Sequence, residues 1–255
     1  MSGHSKWKTI QHKKGAADAK RGKIFSALSK ELTLVAKQGG GDPDTNASLR
    51  AAIQKARAAN MPADNIARAI KKGTGEIEGA ALEELSYEGY AAGGIGVLVK
   101  VLTDNRNRAV AEVRHIFSKH NCNFAQQGAV SRSFQRKGQI LVPCEAVEED
   151  RLLEIVLEAG AEDMKQDGDQ YEVLTDPGDF LGVVEALDKA QLKPSSAELA
   201  LVPDSYVPVT DKGTAGSVMK FVEALEELED VQNVYTNLDV DDAVLAALTD
   251  EQDAQ

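Results

Sequence analysis

Cysteine, histidine and aromatic residues are scarce in this 255-residue chain, and each shortage removes a class of function. The two cysteines, Cys122 and Cys144, have neither C-x-x-C spacing nor the even framework of a disulfide scaffold, which points to a reducing compartment. His115 and His120 lie five residues apart, so one helix face does not present both, and together with Cys122 they make no metal site. No apolar run approaches the roughly 18 residues that cross a bilayer, and residues 1–14 lack the apolar core of a secretory signal. The nucleophile elbow, the phosphate loop, the zinc-protease helix and the dinucleotide fingerprint are all missing. These absences predict a cytoplasmic protein that is not an enzyme, with no metal, no cofactor, no membrane contact and no small-molecule substrate.

What the chain does have is a sharp separation of charge. Residues 1–72 hold 15 Lys and Arg against 5 Asp and Glu, whereas the remainder holds 14 against 36. A pI near 4.9 therefore conceals a basic front module inside an acidic average. Such asymmetry is the electrostatic footprint of a protein with a polyanionic partner.

Residues 1–14 show no periodicity and read as an extended arm. Ile24, Leu28, Leu32 and Val35 then form one apolar stripe, predicting a helix over 16–38 that ends at Gly39-Gly40-Gly41. A second helix is capped by Asn46 and buries Leu49, Ile53 and Ala56; a third starts at Pro62, buries Ile66 and Ile70, and stops at Gly73. From Glu84 the period changes to two. Residues 85–90 and 95–103 make a hairpin with the second strand central, and Asn105 or Asp104 caps a helix over 106–120 lined by Val110, Val113 and Phe117. A strand near 130–134 completes a ββαβ run. A βαββαβ order follows, with strands at 139–143 and at Ala197, Leu199 and Leu201, and with a helix capped by Asp176 that turns Phe180, Val184 and Leu187 inward. An amphipathic helix, Val218 to Leu228, and a strand, Val231 to Tyr235, need a sheet to join, and the ββαβ unit offers one. Residues 239–255 are acidic and predicted to fray.

The predicted fold class is thus α+β. An N-terminal three-helix domain (1–78) precedes two mixed α/β domains, the last ferredoxin-like (138–203) and inserted in the middle one (79–137 plus 204–240).

The basic module supplies the candidate interface, because lysine and arginine displace condensed counterions from a phosphate backbone. Its candidates are Lys6, Trp7, Lys8, Lys13, Lys14, Lys20, Arg21, Lys23, Arg50, Arg57, Arg68, Lys71 and Lys72. Trp7 either stacks on an unpaired base or, the favoured reading, anchors the polar arm to the helices. Arg106 and Arg108 fall in the first turn of a helix, where the macrodipole disfavours cations. Either Glu112 offsets them locally, or an anion or a partner does.

SGHSKWKTIQHKKGAADAKRGKIF, GGGDPDTNASLRAAIQKARAANMPADNIARAIKKGTGE, YEGYAAGG and TDNRNRAVAEVRHIFSKH together resemble the YebC/PmpR family, which also includes a mitochondrial translational activator. The resemblance spans nearly the full length. It implies a helical N-terminal domain, two α/β domains, and a cytoplasmic nucleic-acid-binding regulator commonly labelled a DNA-binding transcriptional regulator; other members look like translation factors acting on the ribosome. The chain departs from the pattern at Ala47-Ser48, where the family often has Pro-Arg, at Asn121-Cys122, where a glycine pair is common, and at Ala63, where lysine is frequent. No catalytic residues carry over. Two partners follow, duplex DNA or ribosomal RNA, and a third reading is a scaffold whose acidic domains meet a basic protein.

Overall fold

The computed structural model describes residues 17–78 and 81–253. It opens with three helices: α1 (Ala17–Gly39), α2 (Ala47–Ala58) and α3 (Ala63–Thr74). Leu28, Leu32 and Ala36, spaced by four, form the buried stripe of α1, with Val35 packed at its side. Ile24 departs from the expected stripe and is 43 % exposed. Against that stripe pack Leu49, Ala52 and Ala56 of α2 and Ile66 and Ala69 of α3, while Ile53 and Ile70 are half-buried.

Asn46 joins the first two helices. Its Oδ1 accepts the Leu49 N–H at 3.0 Å, and its amide donates to the carbonyls of Val35 and Gly40, each at 2.9 Å. One side chain thus caps α2 and satisfies carbonyls that the end of α1 leaves unpaired. Helix α3 runs past Gly73 and turns at Gly75, whose φ of 79° is left-handed. Gly73 instead lies on the α1 contact, where a Cβ would sit 2.4 Å from the Thr33 carbonyl oxygen. That absence of a side chain is what lets α3 approach α1 so closely.

The middle unit is a four-stranded sheet in the order β3–β1–β2–β9, formed by β1 (Glu83–Tyr90), β2 (Gly96–Thr103), β3 (Asn123–Ala125) and β9 (Val231–Thr236), with every neighbour antiparallel. Strand β2 is central, as its two apolar faces predict. Val97, Val99 and Val101 face α4 (Arg106–Lys119) and α7 (Lys212–Glu226), which contribute Val113, Phe117, Phe221, Val222 and Leu225 to one core. On α4 the inward line is Ala109, Val113 and Phe117, with Val110 half-buried.

The strand expected at 130–134 is not there; β3 at Asn123–Ala125 completes the ββαβ order instead. The cause is Glu88, a carboxylate only 2 % exposed that accepts the backbone N–H groups of Gly128, Val130 and Ser131 at 2.9, 2.6 and 3.0 Å. Donors captured by a side chain are not available to a sheet ladder.

The inserted unit runs β4 (Phe134–Pro143), α5 (Glu149–Glu158), β5 (Ala161–Asp167), β6 (Gln170–Thr175), α6 (Phe180–Lys189) and β7 (Ser196–Pro203). Its antiparallel sheet has the order β5–β6–β4–β7, the ferredoxin-like split βαβ arrangement. Strand β4 begins five residues before the expected 139, so a division at 137/138 would cut it. Asp176 does not cap α6: it accepts the Gly178 N–H at 2.8 Å in a turn, and the helix starts at Phe180. Val183 is fully buried in the core and Val184 packs half-buried beside it, and on the edge strand β7 Ala197 and Leu199 are exposed while Ala200 is buried.

The acidic C-terminus corrects another expectation. Strand β10 (Leu238–Val240) pairs in parallel with β8 (Val207–Val209). Helix α8 (Asp242–Asp253) buries Leu245 and packs Val244 and Leu248 on the middle core. These apolar residues hold the segment down despite its charge.

Candidate nucleic-acid interface

The close packing of α1 and α3, which run in the same sense so that their C-terminal ends meet, sets the charge distribution of the helical unit. A Cβ on Gly73 would lie 3.1 Å from the Lys37 backbone nitrogen, so the last turn of α1, carrying Lys37, meets the last turn of α3, carrying Lys71 and Lys72. Cations are favoured there, because both helix ends expose carbonyls. Lys37, Arg57, Arg68, Lys71 and Lys72 are all exposed, and none forms an ion pair among the described residues. Lys37 is absent from the candidates named on sequence alone, and only the helix crossing brings it beside α3.

Other candidates are placed differently. Arg50 is exposed and directs its guanidinium to the carbonyls of Pro43 and Asp44, both at 3.0 Å, so its charge braces the α1–α2 loop. Lys55 pairs with Glu31 at 3.2 Å. Lys23 is half-buried: burial pushes its pKa down against the attraction of Glu226 and Glu227 at the end of α7, so it faces the middle unit. Lys6, Trp7, Lys8, Lys13 and Lys14 lie outside the described residues, as do the side chains of Lys20 and Arg21.

Arg106 and Arg108 part company. Arg106 is exposed, whereas Arg108 Nη2 lies 2.7 Å from Asp230 Oδ2 and 2.8 Å from Asp104 Oδ1. For Arg108 the offset is Asp230, in the turn before β9, with Asp104, and not Glu112. Asp230 also accepts from the Thr103 hydroxyl at 2.8 Å and from Lys30 of α1 at 2.7 Å. Burial would raise its pKa, but the hydrogen bonds from Lys30, Arg108 and Thr103 outweigh that and hold it below the usual carboxylate value. One buried carboxylate therefore ties α1 to the sheet. No local sequence signal pairs residues 30, 108 and 230.

No group of three or more His, Cys, Asp and Glu among the described residues could hold a metal. Burial pushes the thiols of Cys122 and Cys144 upward, away from the reactive thiolate form. Among the described residues no helix is long and apolar enough to cross a membrane.

Comparison with known proteins adds the lineage. Residues 5–76 match the TACO1/YebC protein N-terminal domain, and residues 82–238 match the TACO1/YebC second and third domain. A protein of Geobacter sulfurreducens called a probable transcriptional regulatory protein is 55 % identical over 240 residues, covering 94 % of this chain and 96 % of its own. One of the same description from Desulfosudis oleivorans is 54 % identical over 244 residues, covering 96 % and 99 %. A crystal structure of a conserved hypothetical protein from Aquifex aeolicus superposes with a TM-score of 0.80 at 46 % identity, covering 88 % of this chain and 93 % of that one. The two family models between them account for the helical unit and both α/β units, and the chain belongs to the TACO1/YebC family.

Proposed function

We propose that this protein is a nucleic-acid-binding regulator, a regulator of transcription as its relatives are named, that binds DNA by gripping backbone phosphates through its basic helical unit. The observation that carries the reading is the set of exposed cations Lys37, Arg57, Arg68, Lys71 and Lys72, which have no carboxylate partner among the described residues. Free cations on a rigid surface exchange condensed counterions for contacts with phosphates and give affinity without sequence selection. In this reading the binding unit is 1–78. Residues 79–133 with 204–253 form the platform that orients it, and 134–203 form a ferredoxin-like unit whose acidic surface faces solvent or a basic protein.

A second reading, a translation factor bound to ribosomal RNA, is favoured by how α2 and α3 pack. Each packs on α1 and they scarcely touch each other, so they do not form the paired helices of a helix-turn-helix with a base-reading face. That geometry suits recognition of backbone shape. Crosslinking in cells with sequencing of the recovered nucleic acid separates the readings. Promoter fragments are the expected result for the first and ribosomal RNA for the second. Recovery of neither would overturn both and leave a protein scaffold, for which deletion of residues 1–72 would spare partner binding.

A further inference from the structure

An open cleft of about 440 Å³ lies where the helical unit meets the middle sheet. Its walls are faces of two helices: Phe25, Ser26 and Lys30 on α1, and Asn65, Arg68 and Lys72 on α3, with Glu229 closing the far lip. On α3 the three residues recur at three and four, so they share one face. The cations in this cleft are not equivalent. Lys30 donates to Asp230 at 2.7 Å and to the Glu229 carbonyl at 3.2 Å, so its charge is matched within the protein. Arg68 and Lys72 are exposed and form no ion pair among the described residues. One wall thus offers two cations and the other a half-buried aromatic ring, while at the lip the Glu229 backbone carbonyl accepts from Lys30.

That order of groups complements a nucleotide. Guanidinium and ammonium suit a phosphate, and an aromatic ring suits a base face. The volume is that of a small-molecule site and admits a splayed base. We propose that this cleft seats a single unpaired nucleotide of the bound nucleic acid, with its phosphate on Arg68 and Lys72 and its base against Phe25. The proposal rests on the nucleic-acid reading above and narrows it: contact at the α1–α3 face requires a single-stranded or extruded nucleotide.

The test compares a labelled single-stranded oligonucleotide with the duplex made from it, both bound to the full-length protein at one salt concentration. Ser26→Trp obstructs the cleft without changing charge, and Phe25→Leu removes the ring while keeping apolar volume. Each should weaken single-strand binding by about tenfold, the loss of one base stack, and leave duplex binding unchanged. Arg57→Gln, outside the cleft, should weaken both forms by the same factor. An oligonucleotide carrying 5-iodouracil should crosslink to Phe25 in the unmodified protein, a readout independent of how the variants fold. Equal loss for both forms together with no crosslink to residues 25–30 would overturn the cleft and leave the backbone reading intact. Failure of the unmodified protein to bind either form would overturn both.

Discussion

Asp230 concentrates the polar chemistry of this fold at one atom group: four charged or hydroxyl partners from α1, β2, the β2–α4 turn and α4 converge on it or on Arg108 beside it. Replacing it with Asn keeps the shape but removes the charge. Leaving Lys30 and Arg108 with a neutral partner should destabilise the protein by about 1–3 kcal/mol in chemical denaturation. The pH dependence has a definite sign. Asp230 and Glu88 are both held below the ordinary carboxylate pKa, Glu88 because three backbone N–H groups outweigh its burial. Their stabilisation is therefore complete above the unfolded value of about 4 and is lost as pH falls through the lower folded values. Stability measured against pH should fall less steeply on the acid side for Asp230→Asn than for the unmodified protein; parallel acid limbs would contradict this assignment. The sequence flagged Arg108 as a cation at the wrong end of a helix. It hid the answer, because the offsetting carboxylate lies 122 residues away.

Helices and strands were legible where an element's own residues decide it. Asn46 and Asn105 cap where a side-chain oxygen precedes an apolar period, the hairpin around Gly93 and Gly94 needs the positive φ that glycine allows, and β2 is central because both its faces are apolar. The misreadings share one cause, a tertiary contact that overrides a local pattern. Glu88 captures the donors of residues 128, 130 and 131, and Leu238, Val240 and Leu245 fix a tail whose acidity suggests fraying. Gly73 looked like a helix stop and is a crossing point. Gly73→Ala would place a methyl 2.4 Å from the Thr33 carbonyl and 2.7 Å from the Ala36 Cβ. It should destabilise the helical unit by about 1–3 kcal/mol and, by pushing α3 away from α1, weaken nucleic-acid binding. Melting and affinity followed together would show both losses; a shift in neither would mean that the two helices tolerate a wider separation.

Across the whole molecule the charges divide by position as well as by sequence. Lys23 and Lys30 turn toward carboxylates of the middle unit, whereas Lys55, half exposed, pairs with Glu31 of its own unit at 3.2 Å. Lys23 and Lys30 thus turn into the junction between the helical and middle units, while Lys37, Arg57, Arg68, Lys71 and Lys72 stay exposed. The basic module is therefore only partly available for binding, a division that counts along the chain could not provide. The most direct measurement is the salt dependence of nucleic-acid affinity for the full chain and for a variant with Lys37, Arg57, Arg68, Lys71 and Lys72 all changed to Gln. Each phosphate contact removed should flatten the slope of log affinity against log salt by about 0.7–0.9, so the variant should bind more weakly and with a markedly shallower slope. An unchanged slope would contradict the placement of the interface on this face.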